Sequence, residues 1–525
     1  MTGYDVILVG SGINSLVCAA ELTAKGRRVL VLERAPVAGG CIRTEEITLP
    51  GYRHDLLSMS YPLFVTTPFY PGLRPKLDAE GVRLVEAAIP TGVLLPDGRS
   101  LLFHQDRAAN IAAFDAAHSG DGASHVAAMQ EIEANAPLLF GLLGGEPRSA
   151  ATAKLLGGNL LKRGIGGMAG FAGDMLLPVR EWLERAFQSD LARALIAPWV
   201  LHVGLGPESA MSAVMAKVVM FTLEQAGIPF VEGGSARIVE AFTRIIEAGG
   251  GAVLTDAEVA RIEVERGIAR AVVTTDGRRF AASRAIGCSV TPPQLYRRLL
   301  APGDVPAAIG AKADGYRFGR ACMQIHIALV EPAQWGDPEL ARVGLLHLTP
   351  GMDGVSRAVN EAERGLLPAE ATIVVGQPAA ADPSRCPPGA GLLWIQLQEL
   401  PRVVKGDAAG ALAAPADGAW NDGLAAAYAE RVIARLRHHI VNFDSAVRDV
   451  QVLGPHRLAA MNVNLEGGDP YAGVCSVDQF FAMRPFGGAR NHETHIRRLY
   501  HLGASTHPGP GLSGTSGHLV AQAIG

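Results

Sequence analysis

The chain reads as an α/β protein in which a Rossmann-type, doubly wound domain is interleaved with a substrate domain of mixed sheet and helices. Three observations predict this architecture. A strand, glycine turn and helix open the chain, a second such unit closes it, and strand–helix alternation resumes midway after a long helical stretch.

The first unit is Tyr4 to Leu22. Val6, Ile7, Leu8 and Val9 form an apolar run that stops at Gly10, and Leu16 to Leu22 continues with helical spacing. Gly10 permits a sharp turn, Gly12 lets the backbone approach a pyrophosphate, and the helix beginning with Ile13 and Asn14 aims its unpaired N–H groups at phosphate. Ser15 stands where a third glycine is usual, small enough for close helix–strand packing. A second apolar strand ends at Glu33, followed by Arg34, about 20 residues downstream, where a carboxylate accepts hydrogen bonds from a ribose. An ordinary βαβ unit with a glycine-rich turn is the alternative. Gly39 and Gly40 then precede Arg43 and Thr44, a turn that can lie against a bulky ligand beside a planar fork of donors.

From about Pro62 to Gln225 the pattern predicts a helical insertion, with helices over 123–143 and 179–220, the latter broken near Pro198 and at 204–207. Strand–helix alternation resumes at Phe230: Gly233-Gly234, a helix over 236–248, and strands over 258–264, 269–277 and 280–286. Between Thr291 and Pro455, strands at 322–329 and 392–398 and an amphipathic helix at 423–439 predict the sheet of the second domain, in which His326 reads as a core histidine. The final unit runs from Arg498 through Gly503, Ala504, His507, Pro510, Gly511 and Leu512 to Gly517, then an apolar helix. Both domains are therefore expected to be discontinuous: 1–75, 226–300 and 456–525 in one, 76–225 and 301–455 in the other.

Bulk properties exclude several classes. The net charge is −4 with no basic run, which argues against a nucleic-acid partner. Six scattered cysteines without a CxxC pair suggest neither disulfide framework nor metal site. The first strand follows Met1 so closely that a signal peptide has no room, which predicts a cytoplasmic protein. The apolar region 155–178 contains Lys162, Arg163 and many glycines and fails as a spanning helix, leaving peripheral membrane contact open.

Together, the N-terminal fingerprint, Glu33, Gly39-Gly40 with Arg43-Thr44, and Pro50 to Asp55 resemble the opening of FAD flavoproteins of the phytoene desaturase and carotenoid isomerase type, relatives of the flavin amine oxidases. Glu466 to Gly473 and Asp478 to Pro485 resemble a stretch of the phytoene-dehydrogenase-like branch, which tends to carry a histidine where this chain has Ala472. The resemblance implies a glutathione-reductase-like FAD-binding domain, with pyrophosphate at Gly10 to Ser15, adenosine ribose on Glu33, Val259 touching adenine through its backbone, and the C-terminal segment along ribityl and isoalloxazine. It also implies introduction, isomerisation or saturation of a C=C bond in a lipophilic or alicyclic substrate, with desaturation favoured. Oxygen or a quinone is the expected electron acceptor, as no second dinucleotide fingerprint is present. Candidate catalytic residues are His507, Tyr471, Arg484 and His202. A flavin amine oxidase is the second reading, which would need an aromatic cage. The third is a flavin-free prenyl or lipid carrier of the same fold.

Overall fold

In a computed structural model, which describes residues 3–525, two seven-stranded sheets organise the chain. The first has a parallel core ordered 252–254, Val29–Leu32, Tyr4–Val9, Arg279–Cys288 and Leu499–His501. Antiparallel strands Val259–Glu265 and Ile268–Thr274 extend it from the N-terminal part of 279–288. The buried strands read as continuous apolar runs because helices Ile13–Ala24, Ala236–Ala248 and Thr515–Ile524 pack on the sheet. First and last segments of the chain thus share one sheet and one core.

The second sheet is mixed and ordered Val447–Leu453, Ala321–Leu329, Gly391–Leu400, Ile373–Gly376, Val343–Leu348, Ile89–Leu94 and Ser100–Phe103. All neighbours are antiparallel except 343–348 with 89–94. Alternation assigns its two faces. Ile325, Ile327, Leu393, Ile395 and Leu397 pack with Tyr428, Val432 and Leu436 of the helix Asp422–His439. Trp394, Gln396 and Gln398 point the other way, into a cavity under helices Asp121–Gly144 and Ser212–Ala226.

Two expectations change. The stretch read as wholly helical contains the strand pair 89–94 and 100–103, joined through Pro96-Asp97-Gly98, and the pair forms the sheet's edge. The stretch 179–220 is broken once more than expected. Val179–Ala186 ends at Phe187, and Ser189 caps Asp190–Ile196 by accepting hydrogen bonds from the Leu191 and Ala192 N–H groups. His326 is fully buried, edge-on to His54 with ring centroids 5.2 Å apart, and burial holds its pKa well below that of a free imidazole. Among the described residues, no helix is long and apolar enough to cross a membrane.

Candidate active site

One cavity of about 1010 Å³ runs from the N-terminal glycine turn, past the C-terminal segment, to the inner face of the second sheet. At the first end the strand Tyr4–Val9 turns at Gly10, whose φ of +90° suits glycine. Gly12 then caps the helix Ile13–Ala24 without any side-chain hydrogen bond, and a Cβ there would meet nothing within 4 Å. The first turn's N–H groups are therefore available to an anion in the cavity. Gly10, Gly12, Ile13 and Asn14 line this end, while Ser15 is buried behind them.

Glu33 ends its strand at the same place. Its carboxylate accepts from the Ser11 N–H at 3.0 Å, the Ser11 hydroxyl at 2.7 Å and the Ala35 N–H at 2.9 Å. The Ser11 hydroxyl accepts in turn from the Gly39 N–H at 2.8 Å, which ties the two glycine turns together. A carboxylate has about four acceptor positions, so one remains for a ribose hydroxyl. Gly39, Gly40, Arg43 and Val259 also line the cavity, with Arg34 at its rim, 3.8 Å from Glu258. Thr44 does not reach the wall. Its hydroxyl donates to Asp55 and accepts the N–H of Ala236, which makes it an anchor for the helix 236–248.

The C-terminal segment closes the site. Ala504, Pro510, Gly511 and Leu512 line it, and Thr515 begins a second helix whose cap residue, Gly514, makes no side-chain hydrogen bond. Gly503 lies one step behind the wall, its N–H bonded to Ser516 Oγ at 2.9 Å. The Asn14 side-chain oxygen accepts from the Gly517 N–H at 3.3 Å, joining the two cradles directly. Two open helix N-termini, a ribose acceptor and a glycine pair fit the phosphates, ribose and bulk of FAD.

The proposed catalytic side chains fare differently. Tyr471 lines the cavity, but its phenol donates to the Leu201 carbonyl, and burial lifts its pKa well above the usual value, so it is no base. Arg484 is buried away from the wall and donates to the carbonyls of Tyr471, Gly473, Val474, Gln479 and Ala504, a staple for the surrounding loops. His507 is buried outside the wall, and desolvation lowers its pKa to about 4. His202 does face the cavity. Its Nε2 lies 2.9 Å from Nε2 of His347, and burial lowers its pKa to about 4.

Residues not anticipated as site residues complete the chamber: Trp199, Trp394, Phe480 and Phe481, with Gln396 and Gln398. The expectation that no aromatic cluster exists is thereby corrected, because Trp199, Trp394 and the Phe480–Phe481 pair converge from three distant segments. Gln396 and Gln398 were visible as period-two polar residues in an otherwise apolar strand. Among the described residues that line the cavity, the charged side chains are Glu33, Arg34 and Arg43, all at the dinucleotide end.

Fold and cradle define a dinucleotide-binding protein of the Rossmann type, and the NAD(P)-binding Rossmann-like domain family matches residues 8–64. Over nearly its whole length the chain is similar to named oxidoreductases. Mouse pyridine nucleotide-disulfide oxidoreductase domain-containing protein 2 is 26% identical, covering 99% of this chain and 93% of its own. A limonene dehydrogenase polypeptide of Castellaniella defragrans is 24% identical over 99% and 94%. A neurosporene-forming phytoene desaturase of Cereibacter sphaeroides is 23% identical over 98% and 93%. The resemblance to phytoene-desaturase-type proteins is thus borne out. Among solved structures, a double mutant of putrescine oxidase shares the fold, with a TM-score of 0.61, 13% identity and 99% coverage of both chains.

Proposed function

We propose that this chain is an FAD-dependent oxidoreductase acting on CH–CH groups of a lipophilic or alicyclic substrate, with desaturation as the favoured direction. The observation that carries the reading is the continuity of the cavity: one wall set by the glycine cradles, the other by the aromatic and apolar face of the second sheet. The resemblance to limonene dehydrogenase and phytoene desaturases supports the substrate class.

In this reading residues 1–75, 226–300 and 456–525 hold the cofactor, and 76–225 with 301–455 shape the substrate chamber. Bound FAD supplies a hydride acceptor. The chain's part is to orient and to exclude water. Gly10 to Asn14 and the turn before Thr515 bind phosphate, Glu33 takes the ribose, and Trp199, Trp394 and Phe480 position an apolar skeleton. Among the described residues no carboxylate, lysine or free phenol faces the chamber, so the proton lost beside the hydride leaves to water. The amine oxidase fold and the aromatic walls favour a second reading, but a protonated amine would meet no carboxylate from the described residues in the chamber. The carrier reading conflicts with two intact phosphate-facing cradles.

Oxygen or a quinone is the proposed acceptor, and peripheral membrane contact is proposed through the helix Ala150–Leu176. There Leu161 and Ile165 are 89% and 82% exposed beside Lys162 and Arg163. Liposome co-sedimentation checks this: complete recovery in the supernatant would sink it. For the cofactor, the purified protein should be yellow and release one FAD per chain on denaturation. A colourless protein that takes up no added FAD would overturn both enzyme readings.

A further inference from the structure

His202 and His347 form a buried pair at the chamber wall that the proposed chemistry leaves without a task. Their Nε2 atoms are 2.9 Å apart, so one ring donates and the other accepts. Trp199 holds the pair in place, its ring 4.7 Å from that of His202 and 4.9 Å, edge-on, from that of His347. The two remaining nitrogens have different surroundings. His347 Nδ1 is enclosed and has no hydrogen-bond partner, whereas His202 is partly exposed to the cavity and its Nδ1 makes no bond to the described residues.

This asymmetry selects a tautomer by hydrogen-bond economy. If His202 donated across the pair, His347 would carry its proton on Nδ1, a buried N–H with no acceptor. That is the costlier orphan. If His347 donates instead, its Nδ1 keeps only an unused lone pair, and His202 must carry its own proton on Nδ1, facing the cavity. Burial lowers both pKa values, that of His202 to about 4, so both rings are neutral near pH 7. A neutral imidazole held this way is a hydrogen-bond donor and not a base.

The second sheet extends the polar patch. His347 pairs with Val374, Val374 with Gln396, and Gln396 with Gln324, so these side chains share one cross-strand row. Gln396 Oε1 accepts from Gln398, while its Nε2 donates to no oxygen of the described residues. A second donor thus stands two strands, about 10 Å, from His347 on the same face. A purely hydrocarbon ligand would leave these donors desolvated and unpaired, at a real cost.

Resting on the CH–CH oxidoreductase reading, we propose that His202 donates its Nδ1–H to a carbonyl oxygen of the substrate. The preferred substrates are then oxygenated alicyclic or lipophilic compounds, not plain hydrocarbons. His347 is a positioning residue: it sets the tautomer of His202 without touching the ligand.

The test uses the FAD-loaded protein and matched probes, carvone against limonene and menthone against p-menthane, titrated while the flavin absorbance is monitored. The ketone of each pair should bind about ten-fold tighter. His202→Phe should erase that preference while leaving hydrocarbon binding unchanged. His202→Asn, whose amide N–H stands near the place of Nδ1, should restore part of it. Independently of any ligand, ¹⁵N-histidine NMR of the holoprotein, assigned with His202→Phe, should show His202 protonated at Nδ1, and His347→Phe should release that tautomer. Equal affinity for ketone and hydrocarbon, or an Nε2–H tautomer at His202, would overturn the inference alone. No response to any of the four probes, with FAD bound, would overturn the underlying reading and the inference with it.

Discussion

Gly517→Ala tests whether the two ends of the chain build one cofactor site. A Cβ at Gly517 would lie 1.8 Å from the Asn14 carbonyl oxygen and 2.6 Å from its carbonyl carbon. Both are backbone atoms of the first turn of the N-terminal helix, so no rotamer change relieves the clash. An ordinary C···O contact needs about 3.3 Å, so the helix 515–524 must retreat by roughly 1.5 Å. The Gly517 N–H to Asn14 bond, already 3.3 Å long, would then be lost. Overpacking of this kind costs about 1–3 kcal/mol, which corresponds to about 5- to 150-fold in FAD affinity if the loss falls on the closed site. Apoprotein titrated with FAD reads the affinity, and circular dichroism checks that the fold survives. Gly173→Ala, where a Cβ meets nothing within 4 Å, is the control and should be neutral. Affinity for FAD within about two-fold of the parent in Gly517→Ala would refute the coupling of the two cradles.

Further outcomes are expected elsewhere. Ser11→Ala removes a hydroxyl that donates to Glu33 and accepts from the Gly39 N–H, and should weaken FAD binding by about 1–3 kcal/mol on titration. Arg385→Ala leaves Asp55 buried without its ion-pair partner and should lower stability by about 3–5 kcal/mol in denaturant melts. Glu399 is fully buried, and desolvation raises its pKa from 4.5 to about 7. The folded state therefore holds an extra proton between those values, and stability falls as pH rises through that window, by up to about 3 kcal/mol. Glu399→Gln should match the parent near pH 5 and exceed it at pH 8; equal pH slopes in thermal melts would contradict this.

Local signals made the cofactor end legible. Gly10, Gly12 and Glu33 occur at spacings imposed by the turn and the ribose, and each side chain acts close to its place in the chain. Gly39 and the Gly503 to Gly517 segment add a second turn and a second helix start of the same kind. The chamber was less legible because its wall is assembled from remote segments. Trp199, Trp394 and Phe480 carry no signal singly and meet only through the packing of the second sheet. The strand pair 89–94 and 100–103 was hidden by its helical surroundings, although Asp97-Gly98 between apolar runs is a hairpin signal. Tyr471 and Arg484 drew attention as polar residues near the flavin motif; their hydrogen bonds to backbone carbonyls are set by tertiary contacts and leave no mark in sequence.

The central claim is that this chain oxidises CH–CH bonds of lipophilic compounds with FAD. Anaerobic mixing of the FAD-loaded protein with alicyclic ketones, lipophilic alkenes and primary amines, followed by flavin bleaching, tests it most directly. Bleaching by ketones or alkenes and not by amines is the predicted result, and bleaching by amines alone would contradict it.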